Sequence, residues 1–475
     1  MQESAFSLRR RAEDFLKQGK YSEAADAFRR EAEARRRLGD PNGAKVEERK
    51  ADRYTSSVSL FAHVPGEKAG RAGALAKWEP PYGCYIGAFI DRDERLGRPF
   101  FANDQTHQSV QAFGDRTGKK HASAFCYLAY GRPFPRQWAE WLADQGAAPH
   151  IAWEPNSGLG PVRDDNYLRE FARDAARARC PIFLRFASEM NGDWTSYHGD
   201  PLKYKVAWAT VQRVMAQVAP NVAMVWCVNH IPETEIERYY PGDGYVDWVG
   251  VNFYSVPFYD NDPSHPGFHD NPADMLSYVY RLYAARKPIM VCEFGASHRA
   301  RVDNMDRSEW AGGKIAELYA SLPRLYPRVK MVDVFDNDNI KYAEPGRQLS
   351  DYSVTNSSVV QAAYARAIAP NYFLSDVLGG TGGTYRRPTA VVPLNNKSVT
   401  TVRRGILPVS SWARCWSEQF TVAYGVDGRE MASVIGPGPR EAGLFLTPGT
   451  RRVFAVVRDE GARVVARAEA TIKVI

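Results

Sequence analysis

Cysteine is scarce: six residues in 475, none at C-x-x-C or other zinc spacing. A dense disulfide framework and a thiolate zinc site are therefore excluded as organising devices. Cys180, Cys227 and Cys292 fall in or beside apolar, strand-like runs, where a thiol behaves as a small hydrophobe. No apolar run reaches the roughly 18 residues of a membrane span, so no membrane-spanning helix is expected. The start, MQESAFSLRRRAEDF, has no apolar h-region, so the chain as given is expected to carry no signal peptide. No G-x-S-x-G elbow occurs, which argues against a serine esterase. A large excess of one charge is missing too. The formal charge is +7, and much of it sits in mixed-sign runs such as RREAEARRR (29 to 37). Such runs mark a solvated helix face, and no nucleic-acid partner is expected.

What is present is a soluble globular composition, 44% hydrophobic and 25% charged, over a length that calls for more than one domain. Residues 1–57 read as helical. Ala12, Phe15, Leu16, Gly19, Tyr21, Ala24 and Phe28 have the spacing of a helical hairpin, similar to a single tetratricopeptide unit, and Pro41 opens a further helix. One such unit cannot bury its own face, so the hairpin packs on its neighbour or docks a protein partner. From about residue 80 to 370 eight short apolar runs alternate with amphipathic stretches such as FPRQWAEWLADQG and YKVAWATVQRVMAQV. Eight strands alternating with helices predict an α/β fold, a (β/α)8 TIM barrel. A doubly wound sheet would require a glycine-rich phosphate turn after its first strand, where this chain reads GAFIDRDERLG. GGTGGT (379–384) reads as a flexible joint. Residues 388–475 show period-two segments between glycine turns, predicting a small β-sandwich of immunoglobulin-like size.

In such a barrel the C-terminal strand ends carry the chemistry. Strand three ends at Trp153 and Glu154, strand four at Ser188, Glu189 and Asn191, strand six at Asn252 and Tyr254, strand seven at Glu293. Alternation puts Arg185 and Glu189 on one face of strand four, and Ile289, Val291 and Glu293 on one face of strand seven. A carboxylate inside a barrel mouth costs free energy unless paired or hydrogen-bonded, so two of them with an arginine point to a chemical site. Facing carboxylates can cleave a glycosidic bond, one protonating the leaving oxygen and the other attacking the anomeric carbon. Trp153, Trp194, Tyr197 and Tyr254 offer flat faces for sugar rings. Other signals are weaker. Pro266 and Gly267 in HPGFH (265–269) preclude the helix that would aim both histidines at one metal ion. DNDN (336–339) lacks the rest of a calcium loop and reads as a strand-end turn with some substrate contact.

RFASEMNGDWTSY (185–197) resembles the strand-four signature of glycoside hydrolase family 26. KPIMVCEFGAS (287–297) resembles its strand-seven nucleophile motif, and VDWVGVNFYS (246–255) its strand-six segment. The resemblance covers roughly residues 80 to 368. It implies a β-mannanase-like retaining barrel of clan A, with Glu189 as acid/base and Glu293 as nucleophile. Arg185 and Tyr254 would hold the nucleophile; Asn191, Trp194 and Tyr197 would line sugar subsites. No metal and no cofactor are implied. Two departures stand out. Ser188 occupies the position where family mannanases carry histidine, and Phe335 and Asp336 stand where strand eight usually ends in tryptophan. Both touch the subsite that reads the sugar being cleaved, so a bacterial exopolysaccharide is as good an expectation as mannan. A polysaccharide substrate favours an extracytoplasmic setting. A barrel that binds polysaccharide without cleaving it, and a transglycosylase, are the alternative readings.

Overall fold

The computed structural model describes residues 3–64, 75–90, 92–102, 105–377, 389–395, 400–416, 419–435 and 440–475. It divides into two units, Met1–Val64 with Val391–Ile475, and Pro65–Ala390. The segment expected as a joint, 379–384, lies outside the described residues.

In the larger unit eight parallel strands run in chain order: Cys84–Ile90, Ser123–Ala129, Ala148–Glu154, Ile182–Phe186, Val222–Asn229, Trp248–Ser255, Ile289–Ala296 and Val329–Asp336. The last pairs with the first, Met331 opposite Tyr85 through Asp336 opposite Ile90, so the sheet closes into the expected barrel. Helices follow the strands and begin where the sequence supplies caps. Asp165 accepts from the Leu168 N–H at 3.0 Å, and Asp200, followed by Pro201, accepts from the Lys203 N–H at 3.0 Å. Each cap satisfies an orphan donor of the first helical turn.

The barrel interior is filled from below by Tyr85, Phe183, Val225, Cys227, Trp248, Met290, Cys292 and Met331. Above them His150 Nδ1 lies 2.7 Å from Asp333 Oδ2, both wholly buried. Burial holds the imidazole well below its usual range and pushes the Asp333 carboxyl well above its own, so both neutral forms are favoured. Gly87 makes room for this pair: a Cβ there would stand 1.9 Å from Asp333 Oδ1.

The smaller unit begins with helices Ala5–Lys17, Tyr21–Arg37 and Pro41–Arg53, joined around Ala12, Ala24, Ala27, Phe28 and Ala51. The sequence reading stopped this part at residue 57 and assigned no strand after it. The structure places Ser57–Val64 inside a four-stranded sheet, antiparallel to Gly405–Arg414 with Ala62 opposite Val409. A five-stranded sheet faces it, and Leu60, Ala62, Val409, Val422, Tyr424, Val453, Ala455 and Ile472 form the core between them. The cause is written in SVSLFAHV: Val58, Leu60 and Ala62 share one face, and that face packs into the core between the two sheets.

Trp153, expected at the sugar site, belongs instead to the layer between barrel and helices. Alternation along strand three turns His150, Ala152 and Glu154 inward and sends Trp153 outward. There it is 0% exposed and stacks on Phe171 with ring centroids 4.0 Å apart. Truncation of a large buried aromatic costs about 3–5 kcal/mol. Trp153→Ala is accordingly expected to lower the stability of the barrel transition by that amount in denaturant unfolding, whereas Trp194→Ala, at a side chain 49% exposed, shifts it by less than about 1 kcal/mol.

Candidate active site

The C-terminal strand ends surround an open cleft of about 960 Å³ lined by Glu154, Ser188, Glu189, Trp194, Tyr197, Asn229, Asn252, Tyr254 and Glu293, among others. The two carboxylates singled out from the sequence both reach it, but neither does so by simple alternation. Strand four ends at Phe186, and the chain then bends through Ala187 (φ 47°) and Glu189 (φ 57°), both left-handed. The bend is held by the Ala187 N–H on the Trp153 carbonyl (3.0 Å) and the Glu189 N–H on the Cys227 carbonyl (3.0 Å). In strand seven Met290 and Cys292 face the interior, opposite to the expected parity. A register shift between Val291 and Glu293 then turns Glu293 inward as well. Such an irregularity re-aims one side chain without disturbing the rest of the strand.

Glu293 is 5% exposed and sits against a buried guanidinium. Arg185 Nη2 donates to its Oε1 at 2.5 Å, and the Tyr254 hydroxyl donates to its Oε2. Burial first, and the Glu293 charge second, raise the Tyr254 phenol well above its ordinary value, so it stays a donor. Arg185 also donates through Nη1 to Asn252 Oδ1 (3.2 Å) and lies over the rings of Phe125 and Tyr127 at 5.5 and 5.7 Å. Asn252 passes the connection on. Its Nδ2 donates to Glu189 Oε1 at 2.9 Å, so a single amide bridges the two halves of the site.

Among the described residues the donors to Glu189 are neutral: Asn252, Asn229 Nδ2 at 3.0 Å and Trp194 Nε1 at 2.9 Å. Gly192 allows the last of these, because a Cβ there would lie 2.2 Å from Trp194 Cζ2. The exposed indole keeps one face to the cleft.

The other expected sugar contacts divide. Tyr197 lines the cleft, its hydroxyl 2.7 Å from Glu154 Oε2 and 2.6 Å from the Ser188 carbonyl. Ser188 lines it too, but its hydroxyl proton goes to Glu154 Oε1. Asn191 does not reach the cleft. It is fully buried, donates to the carbonyls of Asn229 (2.9 Å) and Ile231 (3.1 Å), and accepts from the Asn229 N–H (2.9 Å). Asn191 therefore fixes the loop that presents Asn229 to Glu189. The expectation failed because side-chain type was read without the turn that carries it.

Sequence reasoning named Glu154 and Asn252 as strand-end polar groups but gave neither a role, and it missed Asn229 and Tyr127. The signal was available: Asn229 continues the inward face of Val225 and Cys227, and Glu154 that of His150 and Ala152. At strand eight Phe335 lines the cleft and stacks on Phe89 at 4.8 Å, while Asp336 is buried and accepts from the Val354 N–H. Asn339, in the DNDN turn, also lines the cleft. Among the described residues no group of three or more His, Cys, Asp and Glu is placed to hold a metal ion.

The family model described as glycosyl hydrolase family 26 matches residues 165–279. Endoglucanase H of Acetivibrio thermocellus is 24% identical over 281 residues, 55% of this chain and 29% of its own length. Beta-1,3-xylanase TXYA of a Vibrio species is 31% identical over 78 residues, 16% of this chain and 17% of its own. The chain thus spans less than a third of the length of these curated relatives. Among solved structures, the catalytic domain of a Bacillus sp. JAMB-750 endo-beta-1,4-mannanase is similar at 14% identity, covering 66% of this chain and 97% of that one with a TM-score of 0.46. The strand-four signature lies inside the matched segment, so this part of the barrel is similar to glycosyl hydrolase family 26.

Proposed function

We propose that the chain is a retaining endo-β-glycosidase that cleaves a β-linked polysaccharide by double displacement. The observation that carries this reading is the pair Glu189 and Glu293, bridged by Asn252 yet set in opposite environments. A guanidinium and a phenol hold Glu293, the setting of an anion waiting to attack the anomeric carbon. Glu189 is held by neutral amide and indole donors, which accommodate a group that gives up a proton to the leaving oxygen and takes one back from water. Nothing in these two steps calls for a metal or an organic cofactor. The exposed Trp194 indole, Tyr254 and Phe335 supply ring faces for sugars.

The substrate is less narrowly supported than the chemistry. The curated relatives are named as an endoglucanase and a beta-1,3-xylanase, and Ser188, tied to Glu154, presents no charged group to the sugar. We therefore favour a β-linked polymer other than plain β-1,4-mannan, bacterial exopolysaccharides included. The decisive assay is hydrolysis of a panel of β-mannans, β-glucans, β-1,3- and β-1,4-xylans and exopolysaccharides, with products separated by size and the first-formed anomer followed by NMR. Internal cleavage with a β-anomer formed first is expected; an α-anomer formed first would rule out double displacement.

Two substitutions test the roles. Glu293→Ala is expected to lower kcat/KM by at least about 10³-fold on every substrate, since no other group is placed to attack. Glu189→Ala should lose as much on the polymer but keep kcat/KM within about tenfold on a glycoside with a very acidic leaving group, which needs little protonation. Equal losses on both substrates would remove Glu189 from the acid role.

A further inference from the structure

We propose that Glu154 is a positioning residue for the acid/base: its carboxylate, acting through Ser188 and Tyr197, holds the bend that aims Glu189 into the cleft. The inference rests on the reading of Glu189 given above.

The bend needs holding. Ala187 and Glu189 are both left-handed, at φ 47° and 57°, and each such non-glycine residue costs about 1–2 kcal/mol. Strand carbonyls anchor the N–H groups of these two residues. Among the described residues the N–H of Ser188, between them, meets no strand carbonyl; Ser188 is held by the side chain of Glu154. Its N–H donates to Glu154 Oε2 at 3.2 Å and its hydroxyl donates to Oε1. Its carbonyl lies 2.6 Å from the Tyr197 hydroxyl, which is itself 2.7 Å from Glu154 Oε2. One carboxylate thus controls the N–H and the side chain of the residue preceding the acid/base, and the Tyr197 hydroxyl, whose one proton goes to the carboxylate or to the Ser188 carbonyl, sits against both.

The same contacts argue against a direct sugar contact for Glu154. Both of its oxygens already take donors from this chain, and Ser188 and Tyr197 are 4% and 6% exposed. Burial pushes the Glu154 carboxyl up, with the Arg185 charge and the Ser188 and Tyr197 hydrogen bonds opposing. A third carboxylate in a cleft that already holds two is an unfavourable placement. Its return is geometric: a misplacement of about 1 Å at a reacting group is enough to cost on the order of 10²-fold in rate.

The test compares two substrates of the same sugar, the polymer that the panel identifies and its 2,4-dinitrophenyl glycoside. For Glu154→Ala, kcat/KM on the polymer is expected to fall on the order of 10²-fold, while kcat/KM on the dinitrophenyl glycoside, which needs no proton from Glu189, stays within about threefold. Glu154→Gln, keeping one oxygen acceptor, and Tyr197→Phe, losing the bridging hydroxyl, should show the same selectivity with polymer losses of about tenfold. Far-UV circular dichroism checks folding. If the alanine variant fails to fold, the other two variants carry the comparison under the same criterion. Equal losses on the two substrates would overturn the proposal and make Glu154 a contact of the sugar or of the fold. Glu189→Ala is run alongside. If it shows no dependence on the leaving group, the acid/base reading itself has failed; if it does and the Glu154 and Tyr197 variants do not, only the positioning role has failed.

Discussion

The site depends on one buried cation. Arg185 is 1% exposed at the centre of the barrel mouth, flanked by aromatic rings and facing a carboxylate at 2.5 Å. At an effective dielectric near 20, opposite charges about 4 Å apart attract by about 4 kcal/mol, and removal of one partner of a buried pair costs about 3–5 kcal/mol because the other is stranded. The arginine therefore does more than hold Glu293. It obliges the surrounding residues to supply acceptors, and Asn252 meets that demand while turning its amide toward Glu189. Two acidic groups thus share a cleft without competing for the same charge.

Around this centre the strand ends divide the labour by the direction in which each side chain faces. Inward residues of strands four to seven, Arg185, Asn229, Asn252 and Glu293, are joined with Glu189 into one hydrogen-bonded network, and Glu154 of strand three holds Ser188 beside it. Outward neighbours such as Trp153 lock the helices on. Asn191 acts on neither substrate nor core. It ties down the loop after strand five so that Asn229 faces Glu189. Catalytic geometry of this kind is built by residues that never touch a reacting atom.

The barrel was legible because it is periodic: apolar runs and amphipathic helices alternate eight times, and seven of the eight runs end within a residue or two of an observed strand, while the fourth reads on to Met190 where the strand stops at Phe186. Glu189, Glu293, Arg185 and Tyr254 were legible because polar residues closing apolar strands are unusual. What periodicity could not convey is where it breaks. The left-handed bend at Ala187 and Glu189 and the register shift before Glu293 both depend on neighbouring strands, so parity counting brought both carboxylates to the cleft along the wrong path. Trp153 was misread because the residue type fits a sugar platform, whereas its neighbour Glu154 holds the inward position. The strand Ser57–Val64 was missed because its pairing partner lies almost at the other end of the chain.

That last pairing has a consequence for how the protein is made. Ala62 leaves the ribosome 347 residues before Val409, the residue opposite it in the finished sheet (409 − 62 = 347). At synthesis rates of roughly 5–20 residues per second, the nascent strand waits on the order of 20 to 70 s for its partner, while the whole barrel emerges in between. Throughout that interval its apolar face and unpaired edge are open to other nascent chains, the condition under which strands mispair.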